Sequence, residues 1–177
     1  MFKTPSNKVL PRQGDPRKFA QHGVSLVGVI PVSELPRILD ATEDSGSEVQ
    51  VKLEFTISEE RKKVVIGSAN ADLALVCQRC LEPVTVPVES NISLAIVWDE
   101  DAAKALPERF DPWITGEGMA DLYEMIEEEL LLSLPAVAYH EEPCLDSKLY
   151  SSGKPVEVKR EKNPFQVLEQ LKSSPKS

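Results

Sequence analysis

This sequence is short of the residue types that most enzyme chemistry needs. Histidine occurs twice and cysteine three times in 177 residues. No Ser-His-Asp or Cys-His arrangement can be assigned, and the eight glycines form no glycine-rich phosphate loop. With no motif to support catalysis, the chain is read as a non-enzyme. Apolar runs never approach the ~18 residues that span a bilayer. The first 20 residues carry Lys3, Lys8, Arg12, Arg17 and Lys18 without the apolar stretch of a secretory signal. An odd number of cysteines with no disulfide framework suits a reducing compartment. The expectation is a soluble, cytoplasmic protein with no membrane partner. Aromatic residues, at 6%, are too few to interleave with basic residues as a stacking platform for single-stranded nucleic acid does.

What is present points to a globular chain with uneven charge. Hydrophobic residues make up 41% and charged residues 28%, enough for one domain with a real core. The net charge of -9 is not spread evenly. Residues 97–146 hold 14 acids against two bases, whereas residues 147–177 hold seven bases against three acids. The first 40 residues hold six bases against three acids. A uniformly basic nucleic-acid binder is therefore excluded. The body is acidic, as a holder of a basic protein would be, and the ends are basic, as groups reaching for phosphates would be.

The expected fold is α+β: an antiparallel β-sheet or partial barrel, short N-terminal helices, and one amphipathic helix over about 121–134 packed on the sheet. Residues 1–14 read as a flexible segment, 15–145 as a single domain, and 146–177 as a basic polar tail. Asp15 and Pro16 form a helix start, and Ser33 is placed to cap a second short helix. Val49, Val51, Leu53, Phe55 and Ile57 alternate with polar residues at the period of a half-buried strand. A long strand is expected over 64–76, and another over 84–98, broken or bulged near Pro87 and Asn91. The connections are too short for crossover helices, so a meander is expected. Residues 99–118 read as an irregular loop with one helical turn. Asp121 caps the main helix, with Glu124 three residues on, and Pro135 ends it. Glu124, Glu127, Glu128 and Glu129 fall on its polar side and read as a solvated face.

The strongest chemical signal is Cys77-Gln78-Arg79-Cys80, set between two β-patterned runs. Together with His140 and Cys144 it forms C-x2-C…H-x3-C, four candidate ligands from two separated segments. Zn2+ takes four such S or N ligands. Because 59 residues separate Cys80 from His140, the fold must bring the segments together. Two other readings stand beside zinc: partly buried thiols packing a turn, and a redox pair. The redox pair would want its first cysteine at a helix start, and the following Val84-Thr85-Val86 is strand-like instead.

Cys77 to Pro83, the Asp121–Pro135 segment with His140 and Cys144, and Asn163-Pro164-Phe165 with Leu168 and Leu171 occur in this order. In this the chain resembles the YceD family, the large ribosomal RNA subunit accumulation proteins. Ala138 stands where relatives tend to have a proline before the histidine. The resemblance implies a non-catalytic role in synthesis, processing or accumulation of large-subunit (23S-type) ribosomal RNA during ribosome assembly. The partners it implies are that RNA or its precursor and a basic ribosomal protein such as L32. On this reading Arg12, Arg17, Lys18, Lys159, Arg160 and Lys162 contact RNA phosphates. Phe165, Leu168 and Leu171 form an apolar anchor for a protein partner. Two alternatives belong to other classes: an acidic chaperone for a basic ribosomal protein without RNA contact, and a thiol-based redox sensor.

Overall fold

The structure, a computed structural model, describes residues 8–43 and 46–145. The expected tail over 146–177, and with it Lys159, Arg160, Lys162, Phe165, Leu168 and Leu171, lies outside the described residues. In chain order the elements are β1 (Gln13–Gly14), α1 (Pro16–His22), β2 (Ser25–Pro31), a 3-10 turn at Val32–Glu34, α2 (Pro36–Ala41), β3 (Glu48–Ile57), β4 (Lys63–Val76), β5 (Pro83–Val97), α3 (Glu100–Lys104), β6 (Asp111–Ile114), β7 (Ala120–Asp121) and α4 (Leu122–Ser133).

The period-two alternation of β3 decides which way the sheet faces. Val49, Val51, Leu53 and Phe55 are buried, while Gln50, Lys52 and Glu54 are exposed. Register carries this parity across the sheet: Phe55 pairs with Val65 and Val65 with Leu94, and Val51 pairs with Ala69. One face of the order β2-β3-β4-β5-β6 is thus apolar. Against it lie Ala20 of α1, Ile38 of α2, and Leu122, Met125, Ile126 and Leu130 of α4, in one continuous core. Each fully buried side chain of this size contributes about 1.5–3 kcal/mol before conformational entropy is set against it.

Helix ends follow the sequence in two places. The Asp15 carboxylate accepts from the backbone N–H groups of Arg17 and Lys18, with Pro16 next to it, and Gly23 closes α1 in the left-handed region at φ 63°. The Asp121 carboxylate accepts from the N–H groups of Tyr123 and Glu124, and Leu134 turns extended (ψ 137°) ahead of Pro135.

The sheet is open and mixed, not a closed barrel. Beyond the antiparallel meander β2–β5, strand β6 lies parallel to β5, with Leu94 opposite Asp111 and Val97 opposite Ile114. In the segment expected to be irregular, the helical turn is α3, and β6 is the element the pattern did not show. Asp99 caps α3 through the Ala102 N–H, and Phe110 and Leu106 cover Val64 and Ala95 on the second face of the sheet. Strand β5 runs unbroken through Pro87, which pairs with Asp72, and Asn91, which pairs with Ser68. Proline is tolerated because β6 reaches only Leu94–Val97, so the outward side of residue 87 asks for no ladder bond.

The flexible start expected over 1–14 does not describe residues 8–14. Leu10 is buried, its N–H donates to the Val29 carbonyl, and its own carbonyl accepts from the Tyr123 hydroxyl. The approach to β2 is close enough that a Cβ at Gly28 would collide with the Lys8 carbonyl. Ser33 caps no helix. It sits inside the 3-10 turn, and α2 starts instead at Pro36 with no side-chain cap of its own.

That missing cap is supplied from α4. The Glu127 carboxylate accepts from the backbone N–H groups of Arg37 at 2.7 Å and Ile38 at 3.3 Å, and pairs with the Arg37 guanidinium at 2.9 Å. Glu127 is only 4% exposed, so it does not belong to the solvated face the pattern suggested. The N-terminus of α2 lands on that side of α4 and offers it donors and a favourable dipole.

Candidate metal centre

The β4–β5 connection forms the first half of the site. The Cys77 N–H donates to the Glu82 carbonyl at 2.9 Å and the Leu81 N–H to the Cys77 carbonyl at 2.9 Å, folding the C-x2-C step into a knuckle. Leu81 holds the left-handed conformation at φ 63°, which a bulky residue adopts only under constraint. The second half arrives along the chain after α4. Residues 77 and 138 form an isolated parallel bridge, and the Gln78 N–H donates to the Ala138 carbonyl at 2.9 Å. Arg79 extends the attachment by donating to the carbonyls of His140 and Glu142.

These contacts bring the four expected ligands together, with all their donor atoms within 4.8 Å of one another. Cys77 Sγ lies 3.8 Å from Cys144 Sγ, and Cys80 Sγ lies 3.5 Å from His140 Nδ1. The cysteines are free thiols, and 3.8 Å is far from the ~2.05 Å of a disulfide. His140 Nε2 sits 3.2 Å from the Pro83 carbonyl. Donation there fixes the tautomer and leaves the Nδ1 lone pair facing the sulfurs.

The electrostatics favour a thiolate at the centre. Burial works to raise the Cys77 pKa, but the N–H groups of Cys80, Arg79 and His140, with the Cys80 thiol, pull it down to about 5. The Glu82 N–H draws Cys80 downwards, but burial and the Cys77 and Cys144 sulfurs outweigh it, and Cys80 ends raised. Cys77 and Cys80 are thus pushed apart, the one towards thiolate and the other towards thiol. The group is chemically capable of coordinating a metal ion: three sulfurs and one imidazole nitrogen suit a borderline-soft ion such as Zn2+ and not Mg2+ or Ca2+.

The residues expected to touch phosphates are placed differently from one another. Arg17 is buried, and its guanidinium donates to the carbonyls of Gly116 (2.7 Å), Thr115 (2.7 Å) and Val97 (3.2 Å) while lying 3.3 Å over the Trp98 ring. It ties β5 to the chain after β6, so its expected RNA contact does not fit. Sequence reasoning had no signal for this, because the acceptors are backbone atoms some 80 to 99 positions away. Lys18 is exposed beside Asp15, and Arg12 pairs with Asp121 and Glu34 at the surface. Arg79, missed as an anchor, was legible only as the interior residue of the C-x2-C step.

No helix among the described residues is long and apolar enough to cross a membrane. The family model described as large ribosomal RNA subunit accumulation protein YceD matches residues 65–172, and the chain belongs to the YceD family. It is 35% identical over 167 residues to the large ribosomal RNA subunit accumulation protein YceD of Haemophilus influenzae, covering 92% of this chain and 96% of that one. No solved structure matches the chain.

Proposed function

We propose that this protein supports accumulation of large-subunit (23S-type) ribosomal RNA in the cytoplasm as a non-catalytic factor of ribosome assembly. The observation that carries this is the near end-to-end likeness to a relative bearing that description, 35% identical with 92% and 96% of the two chains covered. RNA contact would fall to the basic ends: Lys18 and Arg12 here, and Lys159, Arg160 and Lys162 in the tail. Arg12 would exchange Asp121 and Glu34 for phosphate, a trade between similar charge-assisted bonds. Crosslinking the protein to RNA in cells with ultraviolet light and sequencing the attached RNA tests this. Reads should gather on large-subunit ribosomal RNA or its precursor, and reversing the charge of these residues should remove them.

A second reading has its own observation. Between β6 and α4 runs a groove of ≈ 430 Å³ lined by Trp113, Met119 and Met125 together with Asp121, Glu124 and Glu128. Acidic side chains beside apolar ones suit a basic segment with an apolar anchor, as a basic ribosomal protein would offer. In that case a ribosomal protein co-purifies, RNA reads are absent, and Glu124→Lys with Glu128→Lys abolishes the partnership while charge reversal at the ends does not.

A further inference from the structure

We infer that Cys77, Cys80, His140 and Cys144 hold one Zn2+ as a closed structural centre, which clasps residues 136–144 onto the β4–β5 turn. Two of the ligand separations match those of a tetrahedral centre. With Zn–S near ~2.3 Å and Zn–N near ~2.05 Å, tetrahedral angles put two sulfurs about 3.8 Å apart and a sulfur and a nitrogen about 3.6 Å apart. Cys77 and Cys144 stand at 3.8 Å, and Cys80 and His140 Nδ1 at 3.5 Å. Four protein ligands leave no position for water or substrate, which makes the centre structural and not hydrolytic. On binding, the thiol protons leave to solvent and the sulfurs stay as thiolates, with no change of oxidation state.

The need for a clasp is visible in the attached segment. Of its apolar residues Ala138 is buried, whereas Val137 and Tyr139 are about half exposed. A segment with so small an apolar anchor returns little against its own ordering entropy. Its other attachments include hydrogen bonds from Gln78 and Arg79 to its carbonyls, the Arg79 guanidinium 5.3 Å from the Tyr139 ring, and the His140–Pro83 contact. On the other side of the site, Leu81 stays left-handed although its side chain is 73% exposed. Nothing in its own packing requires that conformation, and a knuckle shaped to present two sulfurs does. The His140–Pro83 contact supplies the outer-shell support that a ligating imidazole ordinarily has.

The test uses the full chain, purified under reducing conditions without chelator. Elemental analysis should find one zinc per chain. Replacement by Co2+ should give the thiolate charge-transfer and visible bands of a tetrahedral sulfur-rich site. Cys144→Ser and His140→Ala should each weaken Zn2+ binding by about 100-fold or more, since even outer-shell partners are worth ~10–100-fold. Both variants should keep the circular dichroism of the sheet and α4, because the clasped segment lies outside the main core. Stripping zinc from the native chain should open protease cleavage between residues 135 and 145. The inference is overturned if the reduced chain neither retains zinc nor takes up added Zn2+. It is equally overturned if Cys144→Ser and His140→Ala keep native affinity and cobalt spectrum. A disulfide among these cysteines in freshly alkylated protein would replace it with the redox reading.

Discussion

Replacing Glu127 by alanine removes one carboxylate that three donors share. Arg37 and Ile38 present backbone N–H groups at 2.7 and 3.3 Å, and the Arg37 Nε–H lies at 2.9 Å. Loss of a helix cap costs about 0.5–2 kcal/mol, and a hydrogen bond to a charged group is worth about 1.5–3 kcal/mol. The Arg37 side chain is 48% exposed, so water can recover part of its share. The Ile38 N–H is buried and cannot be rescued in the same way. The sum for Glu127→Ala is about 2–4 kcal/mol. Glu127→Gln, which keeps an acceptor but not the charge, should lose about half of that. Glu128 is the internal control: its side chain is 56% exposed and 3.6 Å from Arg37, so Glu128→Ala should cost under about 0.5 kcal/mol. Urea unfolding of the full chain, followed by circular dichroism with the m-value held unchanged, measures all three. A Glu127→Ala midpoint indistinguishable from native, or a Glu128→Ala loss as large as the Glu127→Ala loss, would refute the tertiary cap.

Three further outcomes are expected. Arg17→Met should destabilise the chain by about 2–4 kcal/mol, having stripped three carbonyls of a charged donor, and RNA crosslinking per folded molecule should not change; equal stability in urea would contradict the placement. Leu81→Gly should raise stability by about 0.5 kcal/mol, as relief of a left-handed residue outweighs the added chain freedom, and a clear loss would mean that the exposed leucine packs on something. Burial, then Asp111 and Glu128, raise the Glu129 carboxyl above its unfolded value. Its folded form therefore binds the proton more tightly, and the stability this brings is full below the unfolded pKa and lost as pH rises through the folded one. Glu129→Gln should accordingly be more stable than native near pH 7, with the difference shrinking as pH falls through the folded pKa and gone below about 4.3; a gap that widens in acid would reverse the sign of the argument.

What could be read from sequence was what neighbours in sequence decide. Asp15 with Pro16, Asp121, the alternation from Val49 to Phe55 and the stop at Pro135 each involve groups within a few residues, and each holds in the fold. The ligand set was legible for a different reason: cysteine and histidine are so few that spacing alone singles them out. Failures came where a distant element set the environment. Glu127 and Glu128 are adjacent glutamates on one helix, but only one meets the N-terminus of α2, some 90 positions away. Arg17 looked like its neighbour Lys18 until Trp98 and three carbonyls closed over it. Strand β6 was hidden because four residues with a proline among them carry too little periodicity to announce a strand.

The long β4–β5 hairpin has a consequence for how the molecule is made. Its pairing from Val76–Pro83 to Val64–Ala95 is local in sequence, and local contacts form early in folding. The hairpin therefore brings Cys77 and Cys80 to one point as soon as both strands leave the ribosome. His140 follows 60 positions after Cys80, which at ~5–20 residues per second is about 3–12 s of synthesis. During that interval the nascent chain displays a two-thiol half-site. An ion captured there would wait for its last two ligands, and the closing of residues 136–144 would mark the moment when all the secondary structure described here had been synthesised.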